Sequence, residues 1–156
     1  MRRLTVIAMT LAALAIPALA SAHCQIPCGI YDDSLRMALV LEDITTIEKS
    51  MQSIIDMSAA ADKNYNQIVR WVTNKDDHAD KLIETVTQYF MAQRVKPADP
   101  ADTQANAAYT AKLTVLHKML VTAMQCKQTT DKANCEKLRK LAAEFDDLYF
   151  DGGVKK

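Results

Sequence analysis

Glycine and proline are scarce in this sequence, which has 3 glycines and 4 prolines among its 156 residues. Strict alternation of apolar and polar residues, the pattern of a half-buried strand, is missing as well. Apolar residues instead recur at spacings of three and four among many Ala, Leu, Met, Lys and Glu residues, which is typical of helices. The sequence therefore argues against a mainly β fold and predicts an all-α one.

An excess of either charge is also missing, because 19 basic residues balance 19 acidic ones. The chain thus lacks the basic field that nucleic-acid binding requires. The longest apolar stretch, Leu4–Leu19, is interrupted by Thr10 and Pro17 and falls short of the roughly 20 apolar residues that a membrane span needs. We expect neither nucleic acid nor, after processing, a membrane as a partner.

The first 22 residues have the form of a secretory signal peptide. Arg2 and Arg3 form a short cationic region, an apolar stretch follows, and Ala-Ser-Ala22 has the small-x-small form that signal peptidase cleaves. We predict cleavage after Ala22, which leaves a single mature domain over residues 23–156. The same pattern predicts export to the periplasm or the extracellular space.

Four helical regions are predicted in the mature chain, and the prolines at 97 and 100 mark the clearest loop between them. Short connections favour an antiparallel four-helix bundle over about residues 34–150. The predicted helices cover residues 34–61 with Ser34 as the N-cap, residues 64 to about 95 as one long helix or two, residues 102–124, and residues 132–150. The apolar positions expected to face the core are Leu35, Leu39, Ile44, Ile47, Met51, Ile54, Ile55, Ile68, Trp71, Val72, Leu82, Ile83, Val86, Tyr89, Phe90, Tyr109, Leu113, Leu116, Leu120, Met124, Cys135, Leu138, Leu141, Phe145 and Leu148.

The ten residues ahead of the first helix, residues 23–32, are called the hook below and bring two cysteines, one histidine and the new terminus together. The His23 amine and the Cys24 amide nitrogen can close a five-membered chelate ring on one metal ion, and that nitrogen and the Cys24 thiolate can close a second. A proline and a glycine flank Cys28 and can turn its thiolate into the fourth in-plane position, leaving the His23 imidazole to bind axially. Such a planar set of two nitrogens and two thiolates favours nickel(II) or copper(II) over tetrahedral zinc.

The segment HCQIPCGIY at residues 23–31 closely resembles the nickel-binding motif of the nickel superoxide dismutases, His-Cys-x-x-Pro-Cys-Gly-x-Tyr, and it stands at the predicted processed end. The resemblance implies a four-helix-bundle subunit in a homohexamer with one nickel ion per subunit. It also implies that superoxide is disproportionated to oxygen and hydrogen peroxide by cycling between divalent and trivalent nickel.

Position by position, the resemblance makes His23, Cys24 and Cys28 the metal ligands, with the donors just described. Tyr31 matches the tyrosine that guards the open axial face, so these four residues form the predicted catalytic site. Gln25 departs from the motif, which usually has an acidic residue there.

Three residues outside the hook also enter through the resemblance. Tyr89 matches a second tyrosine that hydrogen-bonds the first. Glu42 and Arg70 are named as candidates for the acidic and basic partners of the axial histidine.

Two other functions fit the same residues. A non-enzymatic exported protein could use these donors to store or deliver nickel or copper, and a tyrosine beside an open axial face favours the enzyme over such a carrier. Alternatively, the four cysteines could pair as disulfides, for which three connectivities exist, in a helical bundle without metal.

The residues left over receive structural interpretations. Cys126 and Cys135 stand at the end of the third predicted helix and the start of the fourth, so we predict a disulfide between them in an exported chain. His78 and His117 lack Cys or His neighbours at ligand spacing and are expected to be structural. The acidic run of Asp76, Asp77 and Asp80 around His78 is expected to be a solvated face.

Overall fold

The computed structural model of the protein describes residues 33–150, so the predicted signal peptide and the hook lie outside the described residues. This part contains helices α1 (Asp33–Ala59), α2 (Tyr65–Glu84), α3 (Thr103–Gln128) and α4 (Ala133–Tyr149). A π-helix (Thr85–Arg94) continues α2 without a break. Residues 33–150 contain no strand, which confirms the all-α prediction, and no helix among them is long and apolar enough to span a membrane.

The helix starts follow the capping residues in the sequence. The Asn64 side chain accepts a hydrogen bond from the Gln67 amide (3.2 Å) at the start of α2, and Asp102 accepts one from the Ala105 amide (2.9 Å) at the start of α3. Each satisfies an amide that has no partner within its helix. The described part of α1 already begins at Asp33, so Ser34 lies within the helix, and its predicted role as N-cap is wrong.

Contacts between helix ends show that neighbouring helices are antiparallel. Arg94 at the end of the π-helix and Tyr149 at the end of α4 both reach Asp33 at the start of α1. At the other end of the bundle, Cys135 in the first turn of α4 contacts Met51 in the second half of α1. Because α1 packs on α2 and α4, and α3 packs on the same two helices, the four form a closed antiparallel bundle.

The core residues of α1 lie at alternating spacings of three and four, the spacing that keeps one stripe facing the neighbouring helices. The neighbouring helices contribute aromatic rings to the core. Phe90 and Phe145 meet edge to face with ring centroids 5.0 Å apart, and Tyr149 stacks on Phe145. The core stripe of α1 consists of Met37, Val40, Ile44, Ile47, Met51 and Ile54.

Several apolar residues predicted to be core are instead exposed, and these predictions are wrong: Leu35, Leu39, Ile55, Val72 and Met124. They flank the buried stripes of their helices. A helix in a bundle buries an arc of little more than 100°, so apolar residues beyond it remain on the surface.

Lys75 is a buried charge that the sequence pattern does not reveal, with 3% of its surface exposed. Its ammonium group donates to the backbone carbonyls of Cys126 (2.8 Å) and Lys127 (2.5 Å) and pairs with Asp76 (2.7 Å). Those carbonyls belong to the last turn of α3, where no amide within the helix can reach them. Lys75 therefore ties α2 to the end of α3, and Asp76 is part of this contact as well as of the polar surface.

The two cysteines beside this contact, Cys126 and Cys135, are both free and fully buried. The disulfide expected from the sequence is therefore not formed in this structure. The two side chains face one another across the turn between α3 and α4 as a pair of thiols.

Candidate metal centre and the contacts at its base

The predicted metal ligands His23, Cys24 and Cys28, and the predicted catalytic Tyr31, lie outside the described residues. The first described residue is Asp33, two positions after Tyr31. What the structure describes is therefore the base of the predicted centre, where the hook joins the bundle.

The Asp33 carboxylate joins three parts of the fold. It accepts hydrogen bonds from the hydroxyls of Tyr89, on the π-helix, and Tyr149 (2.7 Å), at the end of α4. The Arg94 guanidinium donates to its Oδ2 through Nη2 (2.6 Å) and Nε (3.1 Å). Three residues thus hold Asp33, to which the hook is attached. We call Asp33, Tyr89, Arg94 and Tyr149 the Asp33 cluster.

The charge states in this cluster follow from these contacts. Burial works against ionisation of Asp33, but the hydrogen bonds from Arg94, Tyr89 and Tyr149 outweigh it and hold the carboxyl pKa below its ordinary value. Burial and the hydrogen bond to Asp33 raise the pKa of Tyr149 to about 12, and the same causes raise that of Tyr89. At neutral pH the cluster is a carboxylate held by two neutral tyrosines and one guanidinium.

Replacing Asp33 with asparagine is expected to lower the free energy of unfolding at pH 7 by about 1–3 kcal/mol, because its charge-assisted hydrogen bonds are weakened and the buried Tyr89 loses its charged acceptor. Urea unfolding followed by circular dichroism measures this. Because the folded pKa of Asp33 is lowered, its contribution is complete above the unfolded carboxyl pKa of about 3.9 and disappears as the pH falls through the lower, folded value.

The exposed Asp62 is the matched control, and Asp62→Asn should change stability by less than about 0.5 kcal/mol. Equal effects of the two substitutions, or an Asp33→Asn effect that does not shrink in acid, would contradict the role given to the cluster.

The ring of Tyr89 also makes cation–π contacts with two guanidinium groups. Arg36 on α1 lies over its ring at 5.0 Å from the centroid, and Arg94 lies at 5.7 Å. The buried Arg36 Nε has no hydrogen-bond partner within the described residues. The π-helix that carries Tyr89 is a rare conformation found frequently at functional sites.

A cavity of about 390 Å³ opens beside Tyr89, between α1 and the continuous α2 and π-helix. Its lining includes Arg36, Lys81 and His78 together with the carboxylates of Glu42 and Asp43. Basic and acidic side chains therefore both line the cavity, together with the tyrosine that contacts Asp33.

His78 pairs with Asp43 across this cavity, with 2.7 Å between Nδ1 and Oδ1. Burial raises the pKa of Asp43, and the contact with His78 opposes that rise. The expected structural role of His78 agrees with this pairing, but its placement on a solvated face is wrong, because it packs against α1. The periodicity of α2 alone could not show this, since the partner lies 35 residues away.

Glu42 and Arg70, named as partners of the axial histidine, do not lie in one place. Glu42 lines the cavity beside Tyr89, whereas Arg70 lines a separate cavity of about 200 Å³ with Trp71 and Asn74. The structure thus offers no Glu42–Arg70 pair to a single ligand. Within the large cavity, the paired side chains are Asp43 and His78.

Comparison with known protein families decides the identity of the chain. A family model described as nickel-containing superoxide dismutase matches residues 18–152, a span that includes the predicted hook and all four helices. The chain belongs to the nickel-containing superoxide dismutase family. No curated protein and no solved structure matches it at a significant level.

As a member of the nickel-containing superoxide dismutase family, the chain is an oxidoreductase that disproportionates superoxide with nickel as its cofactor. The described residues offer no competing place for the ion: no group of three or more His, Cys, Asp or Glu side chains in residues 33–150 could hold a metal. The amine, amide and thiolate donors predicted at positions 23–28 have the chemistry that nickel(II) prefers. The chain therefore fits the cofactor of its family.

Proposed function

We propose that the hook of this superoxide dismutase holds nickel through the amine and imidazole of His23, the amide nitrogen and thiolate of Cys24, and the thiolate of Cys28. The family match and the planar N₂S₂ donor set support this assignment. The lack of a rival cluster in residues 33–150 supports it further. When bound, nickel supplies the one-electron couple by which one superoxide is oxidised to oxygen and a second is reduced to hydrogen peroxide.

The remaining residues of the site do not exchange electrons. They orient the hook and restrict which molecules reach the metal. Tyr31 stands at the open face, where its hydroxyl can hold water or a small anion and narrow the access to superoxide. Asp33, fixed by its cluster, limits where Tyr31 and Cys28 can lie. Cys28 is five residues from Asp33, so it lies within about 18 Å of it. We propose that the hook packs against the cavity beside Tyr89, which lies within this reach.

The direct test is to express the chain with its leader, isolate the processed protein, measure its metals and assay superoxide loss. We expect one nickel per chain and rapid turnover. Bound nickel without turnover would instead identify a nickel carrier, and no bound metal with Cys24 joined to Cys28 would identify a helical bundle linked by disulfides.

We further propose that residues 1–22 are removed as an export signal and that the enzyme acts outside the cytoplasm. The cationic start, apolar stretch and Ala-Ser-Ala22 site support this. Mass spectrometry of the exported protein should find His23 at the N-terminus. A cytoplasmic protein that starts at another residue would contradict the proposal.

A homohexamer is proposed as the assembly, and exposed apolar side chains on α2 support self-association. Tyr65 and Val69 are 70% and 63% exposed and lie one turn apart, with Val72 on the same side. Val69→Glu should therefore weaken the assembly, because a carboxylate would have to be buried at the contact between subunits. Analytical ultracentrifugation at micromolar concentration is expected to show smaller species.

Thr110→Glu, at an exposed polar position on α3, is the matched control and should leave the sedimentation coefficient unchanged. A wild-type protein that sediments as a monomer, or a Val69→Glu protein that sediments as the wild type does, would contradict this interface.

A further inference from the structure

The two buried thiols lie at the end of the bundle opposite the Asp33 cluster. Cys126 is in the last turn of α3, and Cys135 is in the first turn of α4. Cys135 is fourteen residues before Tyr149 on the same helix, which corresponds to about 21 Å. The pair is therefore remote from the base of the metal centre.

Both side chains of this pair are fully buried and make specific contacts. The Cys126 thiol donates to the Cys135 sulfur, and the Cys135 thiol donates to the Met51 sulfur on α1 (3.7 Å). The Cys126 carbonyl is held by the Lys75 ammonium. Lys75 thus fixes the end of α3 that carries Cys126, and Met51 contacts the sulfur of Cys135.

The two thiols differ in acidity. The hydrogen bond from Cys126 lowers the pKa of Cys135 against the effect of burial, and Arg139 and Lys132 add to the lowering while Glu48 opposes it. The hydrogen bond and burial both raise the pKa of Cys126. Cys135 also stands in the first turn of α4, where the helix dipole favours a thiolate. Cys135 is thus the nucleophile of the pair, and Cys126 keeps its proton.

We propose that Cys126 and Cys135 form a peroxide-oxidisable dithiol, in which Cys135 is attacked first and Cys126 closes a disulfide between α3 and α4. The oxidant is hydrogen peroxide, which the enzyme's own reaction produces. This inference concerns a site outside the nickel centre and holds whether or not the hook is assembled.

The reaction balances in two steps. The Cys135 thiolate attacks one peroxide oxygen, the O–O bond breaks, and the departing hydroxide takes up a proton to leave as water, which gives a sulfenic acid. The Cys126 sulfur then attacks the Cys135 sulfur, the S–O bond breaks, and the Cys126 proton leaves with the oxygen as a second water. One peroxide is reduced to two waters, and two thiols become one disulfide.

Access to the buried pair comes from the turn between the helices. Thr129 and Asp131 in this turn are exposed, and both cysteines lie in helix ends adjoining it. Helix ends open locally at much lower free energy than the core. Peroxide is small enough to enter during such openings, so oxidation is expected to be slower than that of an exposed thiol.

The test treats the reduced, full-length mature enzyme with hydrogen peroxide and maps the products after trypsin digestion without reduction. Trypsin releases Cys126 in the peptide 119–127 and Cys135 in the peptide 133–137, while both hook cysteines are on the peptide that ends at Arg36. We expect a disulfide between the first two peptides, independent of the state of the hook. We also expect the melting temperature to rise on the order of 10 °C, because the bond closes a loop across two helices.

Single variants distinguish Cys135, which peroxide oxidises first, from Cys126, which closes the disulfide. Cys126→Ser should accumulate a sulfenic acid at Cys135 that dimedone traps, whereas Cys135→Ser should leave Cys126 unmodified under the same treatment. The proposal is overturned if the wild-type pair stays reduced while the melting temperature is unchanged, if Met51 takes up oxygen instead, or if dimedone labels Cys126 rather than Cys135.

Discussion

A chain that carries one extra alanine ahead of His23 is expected to lose superoxide dismutation by at least about 100-fold while its helices stay folded. The extra residue turns the His23 amine into a peptide amide and moves the free amine away from the chelate ring. Because the four helices and the π-helix all lie within residues 33–150, outside the hook, circular dichroism should be unchanged. The measurement compares turnover and nickel content of the extended and the wild-type mature chains.

An alanine added after Lys156 is the control for this extension and should leave both quantities unchanged. Full activity of the N-terminally extended chain would show that the terminal amine is not a ligand, and the proposed site would then be wrong.

Replacing Cys28 with serine is expected to remove nickel almost completely and to reduce activity by at least about 100-fold. A hydroxyl is a harder and much less acidic donor than a thiol and cannot supply the thiolate that favours nickel in this site. Metal analysis after dialysis against a weak chelator measures the loss.

Cys126→Ala is the matched control, since it also removes one thiol but lies at the far end of the bundle. We expect this variant to keep its nickel and its activity, with at most a modest loss of stability. Nickel retained by Cys28→Ser, or lost equally from both variants, would mean that Cys28 is not a ligand.

Much of the fold could be predicted because its signals are local. The proline pair at 97 and 100, the cap Asp102 and the three-and-four spacing of apolar residues each act within a few residues of the structure they determine. All four predicted helices are present, with ends shifted by four residues at most, and the uncertain second region proved to be α2 continued by a π-helix.

Burial was predicted less well, because it depends on the width of the buried arc rather than on spacing alone. Leu35 and Leu39 share the apolar character of Val40 and Ile44, yet only the latter two are buried. No feature of the neighbouring sequence distinguishes the exposed pair from the buried pair. The difference depends on where α2 and α4 lie, which one helix cannot specify.

The site also has one part that could be predicted from the sequence and one part that could not. The hook motif is a continuous pattern and was therefore readable from the sequence, and the family match agrees with it. The Asp33 cluster was not readable, because Asp33 meets Tyr89, Arg94 and Tyr149 from 56, 61 and 116 residues away. The only local hint was its position two residues after the motif.

The structure also changes the interpretation of two cysteines. Cys126 and Cys135 were expected to form a permanent bridge, whereas the structure holds them as a hydrogen-bonded pair of thiols with unequal acidity. The folded bundle thus accommodates both cysteines as free, buried thiols.

The central claim is that the first residues of the mature chain surround nickel with two sulfurs and the nitrogens of a histidine terminus. Nickel K-edge X-ray absorption of the reduced wild-type enzyme tests it most directly. The account predicts a first shell of two sulfurs in which every remaining neighbour is nitrogen. A shell without sulfur, or six oxygen and nitrogen neighbours, would contradict it.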